Sequence, residues 1–256
     1  MTPPTPAITL EVDLTNPGQF LACCGLLELA SRLDGEAVGW FEGTRFHMTF
    51  NHGCLMDALL ACQVLPLSAV GTEPGEAKSK SPPVVLGPPF ELVLDWWEDP
   101  SATRAGFKTW AGGQTVIGFI DGMRKHLSVD FDIHDRPFRT MALSKPKPFY
   151  FDSRISRLTS LDLGFSPEKF TTAFSPAVEL LAMIGLQRFR PCPVVDRERY
   201  AFTTWSEPLP VSVAAAVAHG LVPTLSDRLY HFPLVVRTGG KYKAFGPAII
   251  ERRFNV

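Results

Sequence analysis

At 256 residues, with 45% hydrophobic and 20% charged side chains, the chain is too apolar for disorder and long enough to bury a substantial core. No run of eighteen apolar residues occurs, and the opening Met1-Thr-Pro-Pro-Thr-Pro6 has neither a basic nor an apolar leader region, so neither a membrane span nor a secretory signal is expected. The net charge of −1 conceals a division: residues 1–100 carry four Lys/Arg against thirteen Asp/Glu, and residues 101–256 carry twenty-one against thirteen.

That division predicts an acidic N-terminal β-α-β region over 1–100 and a basic α+β region over 101–256, folded separately or as one compact domain. It also points to a polyanionic partner for the basic part. Both signs scattered over solvated faces would give the same numbers. The five cysteines are an odd count, with Cys23 and Cys24 adjacent in an apolar stretch, which predicts reduced thiols and a cytoplasmic location. The 23 prolines, about 9%, cut the chain into short elements and argue against a long-helix bundle.

In chain order, Ile8–Leu14 alternates with period two and predicts a half-buried strand. Asn16-Pro17 supplies a cap and a first-turn proline for a helix running to about Leu33, stopped by Asp34-Gly35. Short strands follow at 38–41 and 45–50 around Glu42-Gly43, then a helix from Leu55 to about Val64. Residues 66–89 read as a mobile loop holding one short apolar segment, Val84–Leu86. Phe90–Trp96 resumes strand alternation, and 113–127 reads as an amphipathic helix with a basic last turn. Another helix runs from Ser175-Pro176 to about Phe189, and 211–219 is helical. Strands at 230–237 and 244–252 flank a Gly-Gly hairpin turn at Thr238–Lys243. The class is α+β, with antiparallel sheets and packed helices. One internal echo joins two of the helices: Leu21-Ala-Cys-Cys-Gly-Leu26 and Leu181-Ala-Met-Ile-Gly-Leu186. A duplicated unit would produce it, and so would two buried helices that each need a small residue at a close contact.

No catalytic constellation accompanies the charge. The sequence lacks G-x-S-x-G, a Walker loop, G-x-G-x-x-G and H-E-x-x-H. His47, His52, Cys54 and Cys62 do not match zinc spacing, so no metal or other cofactor is expected. Asp130 and Asp132 share a strand face, as a two-metal nuclease needs, but a solvated face explains them as well. His126, His134, His219 and His231 leave a metal-independent ribonuclease as an alternative.

The binding signal lies between 104 and 157. Arg104, Lys108, Arg124, Lys125, Arg136, Arg139, Lys145, Lys147, Arg154 and Arg157 are interleaved there with Phe107, Trp110, Phe138, Phe149, Tyr150 and Phe151. Cations neutralise phosphates and aromatic faces stack unpaired bases, so this mixture suits single-stranded nucleic acid. Aromatic core residues ringed by surface cations would read alike. Lys241 and Lys243, beside Gly239-Gly240, add a second candidate.

Several segments together resemble a known family. They are Val12–Leu29, Phe107-Lys-Thr-Trp-Ala-Gly112, Phe174–Leu186 continuing to Arg190-Pro191, the Tyr200–Pro210 stretch and the basic C-terminal hairpin. Their order and spacing resemble the third of the Csb families, CRISPR-associated proteins of type I-U (I-G) systems, over nearly the whole chain except 66–89. The resemblance implies a non-catalytic subunit of an RNA-guided effector that binds CRISPR RNA and target DNA alongside other effector subunits. It also implies ferredoxin-like (RAMP-like) units, and it carries no catalytic residues to this chain. A protein-only adaptor within the same complex is the remaining alternative.

Overall fold

A computed structural model of the chain describes residues 4–50, 55–67, 81–98, 107–110, 115–127, 137–139, 141–144, 149–155, 172–194, 199–236 and 243–251. The period-two segment forms strand β1 (Ile8–Glu11), with Ile8 and Leu10 buried and Thr9 and Glu11 exposed. Asn16 then caps helix α1 (Pro17–Leu33): its side chain accepts the Gly18 N–H at 3.1 Å, and Pro17 sits where a missing N–H costs nothing. Strands β2 (Val38–Glu42) and β3 (Arg45–Met48) follow, with Gly43 at φ +60° in the turn between them.

Strand β3 lies between β1 and β2 and is antiparallel to both, so β1-α1-β2-β3 is a split β-α-β unit, the opening of a ferredoxin-like arrangement. The fourth strand of this sheet, β11 (Leu209–Pro210), joins at the outer edge of β2. A complete ferredoxin-like unit would place its last strand beside β1, and no described strand pairs there.

The second helix is shorter than its sequence pattern. Helix α2 spans Leu55–Ala61, and Val64 begins β4 (Val64–Pro66), which pairs with β5 (Val84–Leu86) and through it with β6 (Leu92–Leu94). Strand pairing at Val64↔Leu86 overrides the helical periodicity, and the short apolar run inside the expected loop is the partner that does it. Residues 68–80 of that loop lie outside the described residues.

Helix α3 (Val116–Leu127) turns Val116, Phe119, Ile120, Met123 and Leu127 inward at helical spacing. Strands β7 (Ala142–Ser144) and β8 (Thr172–Phe174) pair and lead into helix α4 (Pro176–Gly185), capped by Ser175. The C-terminal sheet runs β13-β12-β10-β9, formed by β9 (Cys192–Pro193), β10 (Arg199–Thr203), β12 (Leu229–Val236) and β13 (Lys243–Phe245). Helix α5 (Val211–Ala218) follows β11. The Val236↔Lys243 pair closes the expected hairpin, whose turn at 237–242 lies outside the described residues. The expected single final strand is broken. Past Phe245, the register against β12 slips by one residue before β14 (Ile249–Ile250) pairs at Tyr230–His231.

The echoed helices meet. A Cβ on Gly25 would lie 2.0 Å from the Leu181 carbonyl oxygen, and one on Gly185 would lie 2.2 Å from the Leu21 carbonyl oxygen. Each Leu-x-x-x-Gly therefore presents its leucine carbonyl to the other helix's glycine, and the spacing shared by the two motifs is the spacing of this reciprocal contact. One buried apolar cluster extends from Ile8 to Ala248 and includes residues of both the acidic and the basic regions. Among the described residues no helix is long and apolar enough to cross a membrane.

Candidate nucleic-acid interface

Three segments far apart in sequence converge on one another. The Thr109 hydroxyl donates to the Phe149 carbonyl, the Lys243 N–H donates to the Thr109 carbonyl at 3.3 Å, and the Phe245 N–H donates to the Tyr150 carbonyl at 3.0 Å. Tyr150 takes φ +65°, an unusual backbone for a bulky side chain. On either side of it Phe149 and Phe151 stack at 5.3 Å with an interplanar angle of 12°. Phe245 packs on Phe151, and Phe107 packs on Phe245 and Tyr200.

All six aromatic residues proposed to stack bases are buried: Phe107, Trp110, Phe138, Phe149, Tyr150 and Phe151 are each 6% exposed or less. They are core residues, which corrects the stacking expectation. Aromatic rings interleaved with cations satisfy the core and the surface of one segment at once, and spacing alone does not separate that from a base-stacking groove. Phe149→Leu is therefore expected to cost about 1 kcal/mol of stability and to leave the oligonucleotide affinity of the folded protein unchanged. A loss of affinity at unchanged stability would restore the stacking role.

The cations divide by environment. Lys108 is half-buried between Phe107 and Thr109, with its ammonium 5.6 Å from the Trp110 ring centroid. Arg139 and Lys125 are exposed, and Lys243 is half-buried at the start of β13. Arg124 reaches across to donate to the carbonyls of Leu60 and Cys62, the latter at 2.7 Å, and closes the end of α2. Arg154 pairs in fork geometry with the fully buried Asp152 carboxylate, at 2.9 and 2.6 Å. These two arginines serve the fold. Arg104, Arg136, Lys145, Lys147, Arg157 and Lys241 lie outside the described residues. In sequence, all of these but Arg136 fall within four residues of a converging segment.

Beneath the converging segments lies a buried polar network that sequence reasoning missed. The Asn16 amide donates to Asp152 at 2.7 Å, while its oxygen accepts the Ser153 N–H at 3.1 Å as well as that of Gly18. From the first turn of α4, the Glu179 carboxyl accepts the N–H groups of Asp152 at 2.9 Å and Phe151 at 3.4 Å. Two helix N-termini thus hold the 149–155 segment in place. Burial raises the Glu179 carboxyl from its ordinary 4.5 to about 8, and repulsion from Asp152 adds to the rise while the backbone N–H groups oppose it. A single acid inside the apolar run Ala177–Ile184 was the available signal, as was Glu28 inside Leu26–Ala30.

No protein-family model, curated protein or solved structure matches the chain.

Three of the described histidines have partners within the fold. The ring Nδ1 of His219 bonds the Arg190 carbonyl at 2.9 Å, His231 Nε2 bonds Glu251 at 2.7 Å, and His126 packs edge-on to Phe174. His134, Asp130 and Asp132 lie outside the described residues, as do His52 and Cys54. Among the described residues no three His, Cys, Asp or Glu side chains gather in a metal-binding group.

Proposed function

We propose that this chain is a non-catalytic subunit of a type I CRISPR effector complex that contacts CRISPR RNA or target DNA through its basic region. The resemblance to the third Csb family supplies the context. The convergence of the 107–110, 149–155 and 243–245 segments supports the interface. These segments, 149 and 243 being nearly a hundred residues apart, share backbone hydrogen bonds, and most of the candidate cations lie on them or within a few residues in sequence. A packed aromatic base that carries lysine and arginine heads suits backbone contact, in which base pairing to the guide reads sequence and protein reads charge and shape. The acidic N-terminal part then faces the basic surfaces of neighbouring subunits.

The test is the salt dependence of oligonucleotide binding for a Lys108, Lys145, Lys147 and Lys243→Ala variant. Arg124 and Arg154 stay intact because the fold uses them. The slope of log affinity against log salt should become shallower by about 0.7 for each phosphate of a single strand that the variant no longer neutralises. Unchanged affinity and slope would remove these residues from the interface.

A further inference from the structure

At the opposite end of α1 from the interface, about 18 Å along the helix, a second polar centre stands apart from everything above. Glu28 is fully buried, and three N–H groups meet its carboxylate. Arg32 Nε donates to Oε1 at 3.2 Å, and Arg188 donates through Nη2 to the same oxygen at 3.2 Å and through Nε to the other oxygen. Both arginine side chains are about one-third exposed, at 34% and 39%. A cleft of about 310 Å³ opens beside them, lined also by Glu91, Leu92 and Val93 at the start of β6 and by Gln187. Gln187 is itself fixed: its side-chain oxygen accepts the Asp95 and Trp96 N–H groups and its amide donates to Asp95.

One buried carboxylate needs one cation, and here it has two. The second arginine is one positive charge in excess of Glu28, and across the cleft only the exposed rim residue Glu91 offsets it. Because Glu28 occupies the Nε edge of each guanidinium, both side chains are held in one orientation before any ligand arrives. Both Nη groups of Arg32 and Nη1 of Arg188 make no hydrogen bond to the described residues. Two guanidinium groups sharing one oxygen atom, with their outer N–H groups unused, form a clamp for a second oxyanion. The cleft volume is at the small end of the range for ligand sites and admits a phosphate group together with part of the molecule that carries it. Glu91 is the opposing charge. It sits on the rim at φ +47°, a strained conformation for a non-glycine residue that occurs preferentially at functional positions.

We infer that the cleft between the C-terminal ends of α1 and α4 and the start of β6 binds a phosphate group through the outer N–H groups of Arg32 and Arg188, with Glu28 as the positioning residue. The inference does not depend on the CRISPR reading. The phosphate belongs either to a nucleic-acid backbone or to a small phosphorylated ligand.

Calorimetric titration of the whole chain with pyrophosphate tests it. Saturable binding is expected, weakened at least about tenfold by Arg32→Gln. Glutamine at 32 can still donate to Glu28, and Arg188 keeps that carboxylate paired, so the fold is retained. Glu91→Gln, on an exposed residue, is expected to tighten binding. A single-stranded oligonucleotide that competes with pyrophosphate assigns the phosphate to a nucleic-acid backbone; saturable pyrophosphate binding without such competition assigns it to a small ligand. Absence of saturable binding overturns the inference, as does binding indifferent to both Arg32→Gln and Glu91→Gln.

Discussion

Gly25→Ala is expected to destabilise the protein by about 3 kcal/mol, seen as a lower urea midpoint with an unchanged slope. The added methyl would stand 2.0 Å from the Leu181 carbonyl oxygen, which belongs to the backbone of a fully buried helix and cannot swing aside. Alanine improves helix propensity by roughly 1 kcal/mol, so the expected loss is what remains after that gain. Gly185→Ala should behave alike because its methyl meets Leu21 in the same way. Once either substitution has forced α1 and α4 apart, the second costs less, so the double variant is expected to fall well short of the sum. Additive losses would mean that the two glycines do not share one contact.

Glu179→Gln is expected to flatten the dependence of stability on pH. The unfolded chain releases this proton near the ordinary 4.5, whereas the folded chain keeps it to about 8. Between those values the native state binds more protons than the unfolded state, so stability falls as pH rises. The contribution is complete below about 4.5, erodes through the window and is gone above about 8. Over that range the wild type loses on the order of a few kcal/mol through this one group, because a charge forms in the core next to Asp152 with only backbone N–H groups to receive it. Glutamine keeps an acceptor for the Asp152 N–H, gives up the longer bond from the Phe151 N–H and never ionises. The variant should therefore be the more stable protein at pH 9, and thermal melting from pH 5 to 9 decides it. A wild-type slope retained in the variant would assign the titration to another group.

Glu179 anchors the 149–155 segment, and the two glycines join a helix of the acidic region to one of the basic region, which changes how the charge division reads. The acidic and basic regions share one core: α1 of the first packs on α4 of the second, and β11 extends the N-terminal sheet. The positive excess of residues 101–256 therefore belongs to a structure built jointly with residues 1–100.

Local patterns were enough for the elements that carry their own stop and start signals. Asn16-Pro17 and Ser175-Pro176 mark two helix starts because a cap and a first-turn proline act within a few residues. Alternation in Ile8–Leu10 and the apolar face of Val116–Leu127 likewise depend only on neighbours in sequence. The antiparallel α+β class follows from their order. Pairing between distant segments was decided by tertiary structure alone. Val64 joined a strand because Leu86 was there to pair with it. The aromatic residues of 107–151 went inward because three segments closed over them, and burying a ring gains more than exposing it for stacking. Arg124 and Arg154 became structural because each found a buried acceptor sixty-odd residues away or on the same turn. Glu28 and Glu179 stand out in sequence only as single acids in apolar runs. What they do depends on Arg188 and on the Asp152 backbone, partners that the folded chain alone brings within hydrogen-bond reach.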